Sequence, residues 1–155
     1  MQMLHTSHLQ IPLILVGPVL SRNERDLISA TKLDGQVQQV FLDDTRLKRA
    51  YANCTAVVQT SRYEGFGMTP LEGMASGVPV VAAAAASMPE VGGDVAQYFR
   101  PGDAEDLAST LTRLLSDDDL RATLGRQGVE RAQLFSLEKI AARTAAVYEG
   151  ATKLS

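Results

Sequence analysis

The chain has 155 residues, 45% of them apolar, and a formal net charge of −3. That length suits one domain with its own core. The mild acidity excludes the basic stripe of a nucleic-acid-binding surface, and the single cysteine, Cys54, excludes both an internal disulfide and a cysteine-rich metal centre. No apolar run approaches the roughly 20 residues that span a bilayer, and no signal-peptide pattern is present. The expected compartment is therefore the cytoplasm.

Residues 1–10 read as the remnant of a preceding helix, with His5 to Gln10 as its last turn. His5 and His8 stand three apart, but no third metal ligand lies nearby, and solvated side chains are the simpler reading. Residues 11–16 are an apolar run that predicts a buried strand. Arg22 and Arg25 follow it as helix-start charges, ahead of a helix over 23–33 that carries Leu27, Ile28 and Leu33. A second strand is expected over 37–42, then a helix over 45–53 with Leu47, Ala50 and Tyr51. Asp43 and Asp44 between them would suit Mg²⁺ in a phospho-acceptor site, but a turn with an N-cap is the simpler reading. Cys54 is expected to be inert core.

Strands follow over 56–60, 79–83 and, more weakly, 96–99, with a helix over 69–76 that Gly77 stops. Asp103 predicts a cap for a helix whose apolar face is Leu107, Leu111, Leu114 and Leu115. Ser116 with Asp119 is expected to start the next helix, and Ser136 the last, with Ile140, Val147 and Tyr148. Runs apolar on both faces fit a parallel sheet covered by helices. The order predicts a single α/β domain over 1–155: a Rossmann-like open parallel sheet with helices on both faces, and a helical tail over 103–150.

In such a sheet ligands bind beyond the carboxyl ends of the strands. That places residues 61–68 in the likeliest binding loop. Gly65 and Gly67 let a bulky ligand approach the backbone. The helix that follows offers unpaired N–H groups and the positive end of its dipole, where a phosphate fits. Glu64 and Glu72, eight residues apart, are acceptors for hydroxyl donors. A ligand with both features is a sugar phosphate or a sugar nucleotide. A structural reading stands beside this one. Thr69-x-x-Glu72 has the form of a capping box, with Pro70 at the first helical position, so from spacing alone Glu72 either caps its own helix or binds ligand. Ser87-x-x-Glu90, with Pro89, has the same form and reads as a cap.

Residues 56–101 taken together resemble the nucleotide-binding half of the retaining glycosyltransferases of family 4, which have the GT-B fold. The resemblance rests on Ser61-Arg62-Tyr63-Glu64-Gly65-Phe66-Gly67, Pro70-Leu71-Glu72, Met74-Ala75-Ser76-Gly77-Val78-Pro79-Val80-Val81, Met88-Pro89-Glu90-Val91 and Pro101-Gly102-Asp103. Glu64 and Glu72 look like the acids of that family's E-x7-E motif. Leu124-Gly125, Phe135-Ser136 and Val147-Tyr148-Glu149 look like its closing helices.

The resemblance implies a donor-binding portion of a glycosyltransferase, closest in look to bacterial mannosyltransferases of surface polysaccharide assembly. Glu64 would lie by the transferred sugar as the catalytic acid residue. Glu72 would accept from the ribose. The backbone of Gly65, Phe66, Gly67, Met68 and Thr69 would contact the sugar and diphosphate, and the base would rest near Val40, Phe41 and Leu42. The donor would be GDP-mannose or a UDP-sugar, with no metal and no further cofactor, and the acceptor a glycan or lipid-linked sugar. The full enzyme would be cytoplasmic or membrane-associated.

Measured against the family, the acceptor-binding domain and the opening strand of the donor domain, with its diphosphate-gripping basic pair, are missing. Ala83-Ala84-Ala85-Ala86 replaces a more polar loop. The isolated chain is expected to be inactive. The missing strand leaves open how the sheet closes, and its unpaired edge predicts a dimer. Two alternatives remain: a nucleotide-sugar epimerase of the same architecture, and a receiver-like interaction domain using Asp43 and Asp44.

Overall fold

The structure is a computed structural model that describes residues 11–152. The expected helix remnant over 1–10, with His5 and His8, lies outside the described residues. The elements alternate as the sequence predicts: β1 (Leu13–Val16), α1 (Arg22–Ala30), β2 (Val37–Val40), α2 (Asp44–Asn53), β3 (Val57–Gln59), α3 (Met68–Ala75), β4 (Val80–Ala83), α4 (Met88–Gly92) and β5 (Gln97–Phe99). Helices α5 (Ala104–Leu115), α6 (Asp118–Ala132) and α7 (Leu137–Thr152) form the tail, with a 3-10 turn, Gln133–Phe135, between the last two.

The strands do not form one continuous sheet. β1 pairs with β2, and β3, β4 and β5 form a separate three-stranded sheet in that order. All the pairings are parallel, as expected for strands joined by helical crossovers. Among the described residues no strand pairing joins the two sheets.

β4 is the centre of the core, with Val81 and Ala83 at 0% exposure. Its side chains alternate between two clusters, following the period of two along a strand. Val80 and Ala82 pack with Tyr51, Val57, Met74, Val78 and Met88. Val81 and Ala83 pack with Phe99, Leu114 and Leu124, against which Leu107 and Leu111 also rest. The apolar face expected of α5 is therefore the one that covers the sheet. β1 is a correction. Its residues read as buried, yet Leu13, Ile14 and Val16 are 41%, 51% and 48% exposed.

Helix ends show which turn signals operate. Asp103 caps α5, accepting from the N–H groups of Glu105 and Asp106 at 3.1 and 2.9 Å. Gly77, at φ +73°, ends α3. Its N–H donates to the Met74 carbonyl at 2.9 Å while the Val78 N–H reaches Gly73 at 3.0 Å, which is a Schellman closure. Asp117, rather than Ser116, caps α6 by accepting from the Leu120 N–H at 2.8 Å, because it stands three residues before that donor. A capping box forms at Ser21 and Glu24, a pair the sequence reading passed over. Cys54 is exposed rather than core, because α2 ends just before it and the buried part of the next strand starts later.

Candidate functional site

The chain leaves β3 at Gln59 and crosses to α3 through residues 60–67. Gln59 is polar at the end of an apolar run, and its Nε2 donates to Glu64 Oε1 at 2.6 Å. The backbone carbonyl of Glu64 accepts from Ser87 Oγ at 3.0 Å. Ser87 is thus a tie for the loop and makes no side-chain cap on α4. The expected Ser87–Glu90 capping box is corrected accordingly: Ser87 has a helical backbone conformation, and its hydroxyl is committed across the site.

The glycines differ in what they permit. A Cβ at Gly65 would meet nothing within 4 Å, so that backbone is open to a ligand. Gly67 has φ +90°, and a Cβ there would collide with the Met88 methyl. Glycine is therefore structurally required at 67. Between them, Phe66 sets its ring edge-on to Phe135, with centroids 6.1 Å apart and planes at 80°. The Arg131 guanidinium sits 5.3 Å from the Phe135 centroid and donates through Nε to the Val91 carbonyl at 3.0 Å. Aromatic and cation–π contacts of this kind hold the loop against the C-terminal turn.

Gly67 is itself the N-cap residue of α3 and supplies no side-chain hydrogen bond. This corrects the reading of Thr69 and Glu72 as a capping box. The helix begins at Met68, so Thr69 already lies inside its first turn and Pro70 is its third residue rather than its first. The Glu72 carboxylate turns instead to α2, where Oε2 accepts from the Tyr51 hydroxyl at 3.0 Å. Tyr51 is only 8% exposed. Burial first, then the hydrogen bond and negative charge of Glu72, push its phenol up to about 12, against a small opposing effect of Thr69. The phenol therefore stays protonated and donating at any physiological pH. No salt bridge reaches Glu64 or Glu72 among the described residues. Each carboxylate is held instead by a neutral donor, Gln59 or Tyr51.

The structure thus brings Glu64, Gly65, Phe66, Gly67, Met68, Thr69 and Glu72 into one loop-and-helix unit. Met68 is 56% exposed at its rim. Phe41, 83% exposed, and Leu42 follow β2 in the other sheet, outside this unit. Asp43 caps α2 by accepting from the Arg46 N–H at 2.8 Å, the turn reading rather than the phospho-acceptor one. Arg22 pairs with Asp26 at 3.8 Å as an exposed helix-start charge. No group of three metal-ligating side chains exists among the described residues, and none of their helices is long and apolar enough to cross a membrane. Neither acid lines the open depression of about 470 Å³ formed by Asp94, Val95, Gln127, Glu130, Arg131 and Leu134. Sequence reasoning missed Tyr51, Gln59, Ser87 and Phe135 as site residues. A glutamine ending an apolar strand was the one local signal available.

Comparison with known proteins shows the family. Residues 1–131 match the family model described as glycosyl transferases group 1. An "MMP alpha-(1->4)-mannosyltransferase" of Mycolicibacterium hassiacum is 40% identical over 114 residues, 71% of this chain and 28% of that protein. The "O-antigen chain mannosyltransferase B" of Escherichia coli is 35% identical over 109 residues, 70% of this chain and 29% of that protein. Among solved structures, Anabaena HepE in complex with UDP superimposes with a TM-score of 0.84 at 26% identity, covering 96% of this chain and 43% of that one. The chain therefore spans under a third of the curated relatives and under half of the solved one.

Proposed function

Because this chain belongs to the group 1 glycosyltransferases, with the α/β architecture of their GT-B structures, we propose that it is the donor-binding portion of a retaining enzyme of family 4. The observation that carries this reading is the pair of acids. Glu64 and Glu72 stand on either side of a helix start with no side-chain cap, each held by a neutral donor, Gln59 and Tyr51 respectively.

Hydroxyl groups are neutral donors, and a charged acceptor roughly doubles the strength of such a bond. Glu72 accepts from the ribose and Glu64 lies beside the transferred sugar. The amides of Gly65 through Thr69 face the sugar and the diphosphate, where the helix end favours negative charge. Charge that develops on the leaving diphosphate is stabilised by these fixed dipoles, an effect that often dominates a barrier. The base rests near Val40, Phe41 and Leu42. The donor is GDP-mannose, with a UDP-sugar as the alternative, since named relatives are mannosyltransferases and the solved neighbour holds UDP. The acceptor is a glycan or lipid-linked sugar met on the cytoplasmic side, transfer needs no metal, and this chain alone is inactive. The unpaired edge of β1 joins copies into a dimer, and light scattering behind size exclusion should give a mass that doubles with concentration.

The test is an NMR titration of the purified chain with GDP, GDP-mannose, UDP and UDP-glucose. Amide shifts clustered at residues 64–72 for one base support the reading. Saturable shifts elsewhere, or none at millimolar ligand, overturn it.

A further inference from the structure

Resting on that reading of Glu72 as a ribose acceptor, we infer that Tyr51 is its positioning residue, and that through it α2 sets the preference for ribose over deoxyribose. Tyr51 ends the buried face of α2. It belongs to the buried cluster that holds Val57, Met74, Val78, Val80 and Met88, so its position is fixed by the core of the three-stranded sheet. An aromatic ring has few rotamers, and one wedged at 8% exposure has few places to go. Only its hydroxyl is committed outward, to Glu72 Oε2 at 3.0 Å.

Glu72 is the fifth residue of α3, and a glutamate there has three side-chain torsions to settle. One hydrogen bond from a rigid donor restricts them. An ionised carboxylate has about four lone-pair sites. Tyr51 takes one and leaves Oε1 and the rest of Oε2 to accept from neighbouring hydroxyls. A lysine or arginine in the same place would hold the carboxylate equally well, but it would neutralise the charge that makes the acceptor strong. A neutral phenol orients without neutralising. The arrangement also explains why a pair with capping-box spacing does not cap: Glu72 is drawn sideways to α2 rather than back along its own helix.

Tyr51→Phe keeps the ring and removes only the hydroxyl, so the fold should survive, and a thermal melt checks that it does. The probes are UDP and GDP, each beside its 2′-deoxy counterpart, titrated calorimetrically into the wild-type chain, Tyr51→Phe, Glu72→Gln and the double variant. Tyr51→Phe should weaken the ribonucleotide by about threefold to tenfold, the worth of one oriented hydrogen bond. It should leave the deoxynucleotide nearly unchanged, so that the ratio between them narrows. Once Glu72 is Gln, Tyr51→Phe should have no further effect. A merely structural role would weaken both nucleotides equally and leave the ratio untouched, and that result overturns the inference while donor binding stands. If the wild-type chain binds neither nucleotide, or if Glu72→Gln leaves the ratio unchanged, the donor-site reading itself fails and the inference falls with it.

Discussion

The β1–β2 pair and the three-stranded sheet are written in the same residue types and end in opposite surroundings. Val80-Val81-Ala82-Ala83 lies at 0–1% exposure, whereas Ile14 and Val16 in β1 are 51% and 48% exposed. An apolar run shows that a strand is able to be buried. Whether it is buried depends on what lies on each side. β4 has strands on both edges and helices on both faces. β1 has one partner strand, and of the residues in its own crossover helix, α1, only Ile28 is buried. Stability in this molecule is accordingly local, and the two acids sit on the stable side. Glu64, Glu72, Tyr51 and Gln59 all belong to or border the elements that pack around β4.

The largest expected effect is in native-state hydrogen exchange. Amides of β4 should exchange only by global unfolding, and those of β1 through local opening, roughly a hundredfold faster or more. Equal protection in the two sheets would break the comparison. Next comes side-chain truncation. Leu114, at 0% exposure, should cost about 2–5 kcal/mol as Leu114→Ala in urea denaturation, while Ile14→Ala should cost under about 1 kcal/mol. Gly67→Ala meets both a positive φ and the Met88 methyl and should cost about 1–3 kcal/mol, read as a lowered melting temperature. Asp103→Ala removes a cap with two accepted N–H groups, worth about 1 kcal/mol. Ser21→Ala, in the open half, should leave global unfolding nearly unchanged.

The smallest effect is the pH dependence from Tyr51. Folding favours its protonated form, because the phenol is raised from 10 to about 12. That contribution is complete below pH 10 and is lost as pH climbs through about 12. Stability should fall more steeply across that window in the wild-type chain than in Tyr51→Phe.

Much of this fold was legible in the sequence because strand and helix periods are local. The five strands, the Gly77 stop and the Asp103 cap could all be placed that way. The Glu64 and Glu72 pair and its loop could be singled out as a candidate site by their spacing. The partners of those acids could not be read this way. Tyr51 lies 21 residues before Glu72 and Ser87 lies 23 residues after Glu64, distances that only the packing closes. Capping-box spacing misled for the same reason. A Ser/Thr-x-x-Glu pair states what the helix would do unaided, and tertiary partners redirected both: a carbonyl acceptor for Ser87 and a phenol donor for Glu72. The exposure of β1 was illegible because it depends on neighbours that its own residues do not specify.

Glu64 and Glu72 are proposed to bracket a nucleotide-sugar site. A crystal structure of the chain with its better-bound nucleoside diphosphate tests it most directly. Ribose hydroxyls are expected within hydrogen-bond distance of Glu72, with Tyr51 still donating to Oε2, and phosphate oxygens on the amides at the start of α3. A nucleotide seated elsewhere, or one whose ribose leaves Glu72 untouched, would contradict it.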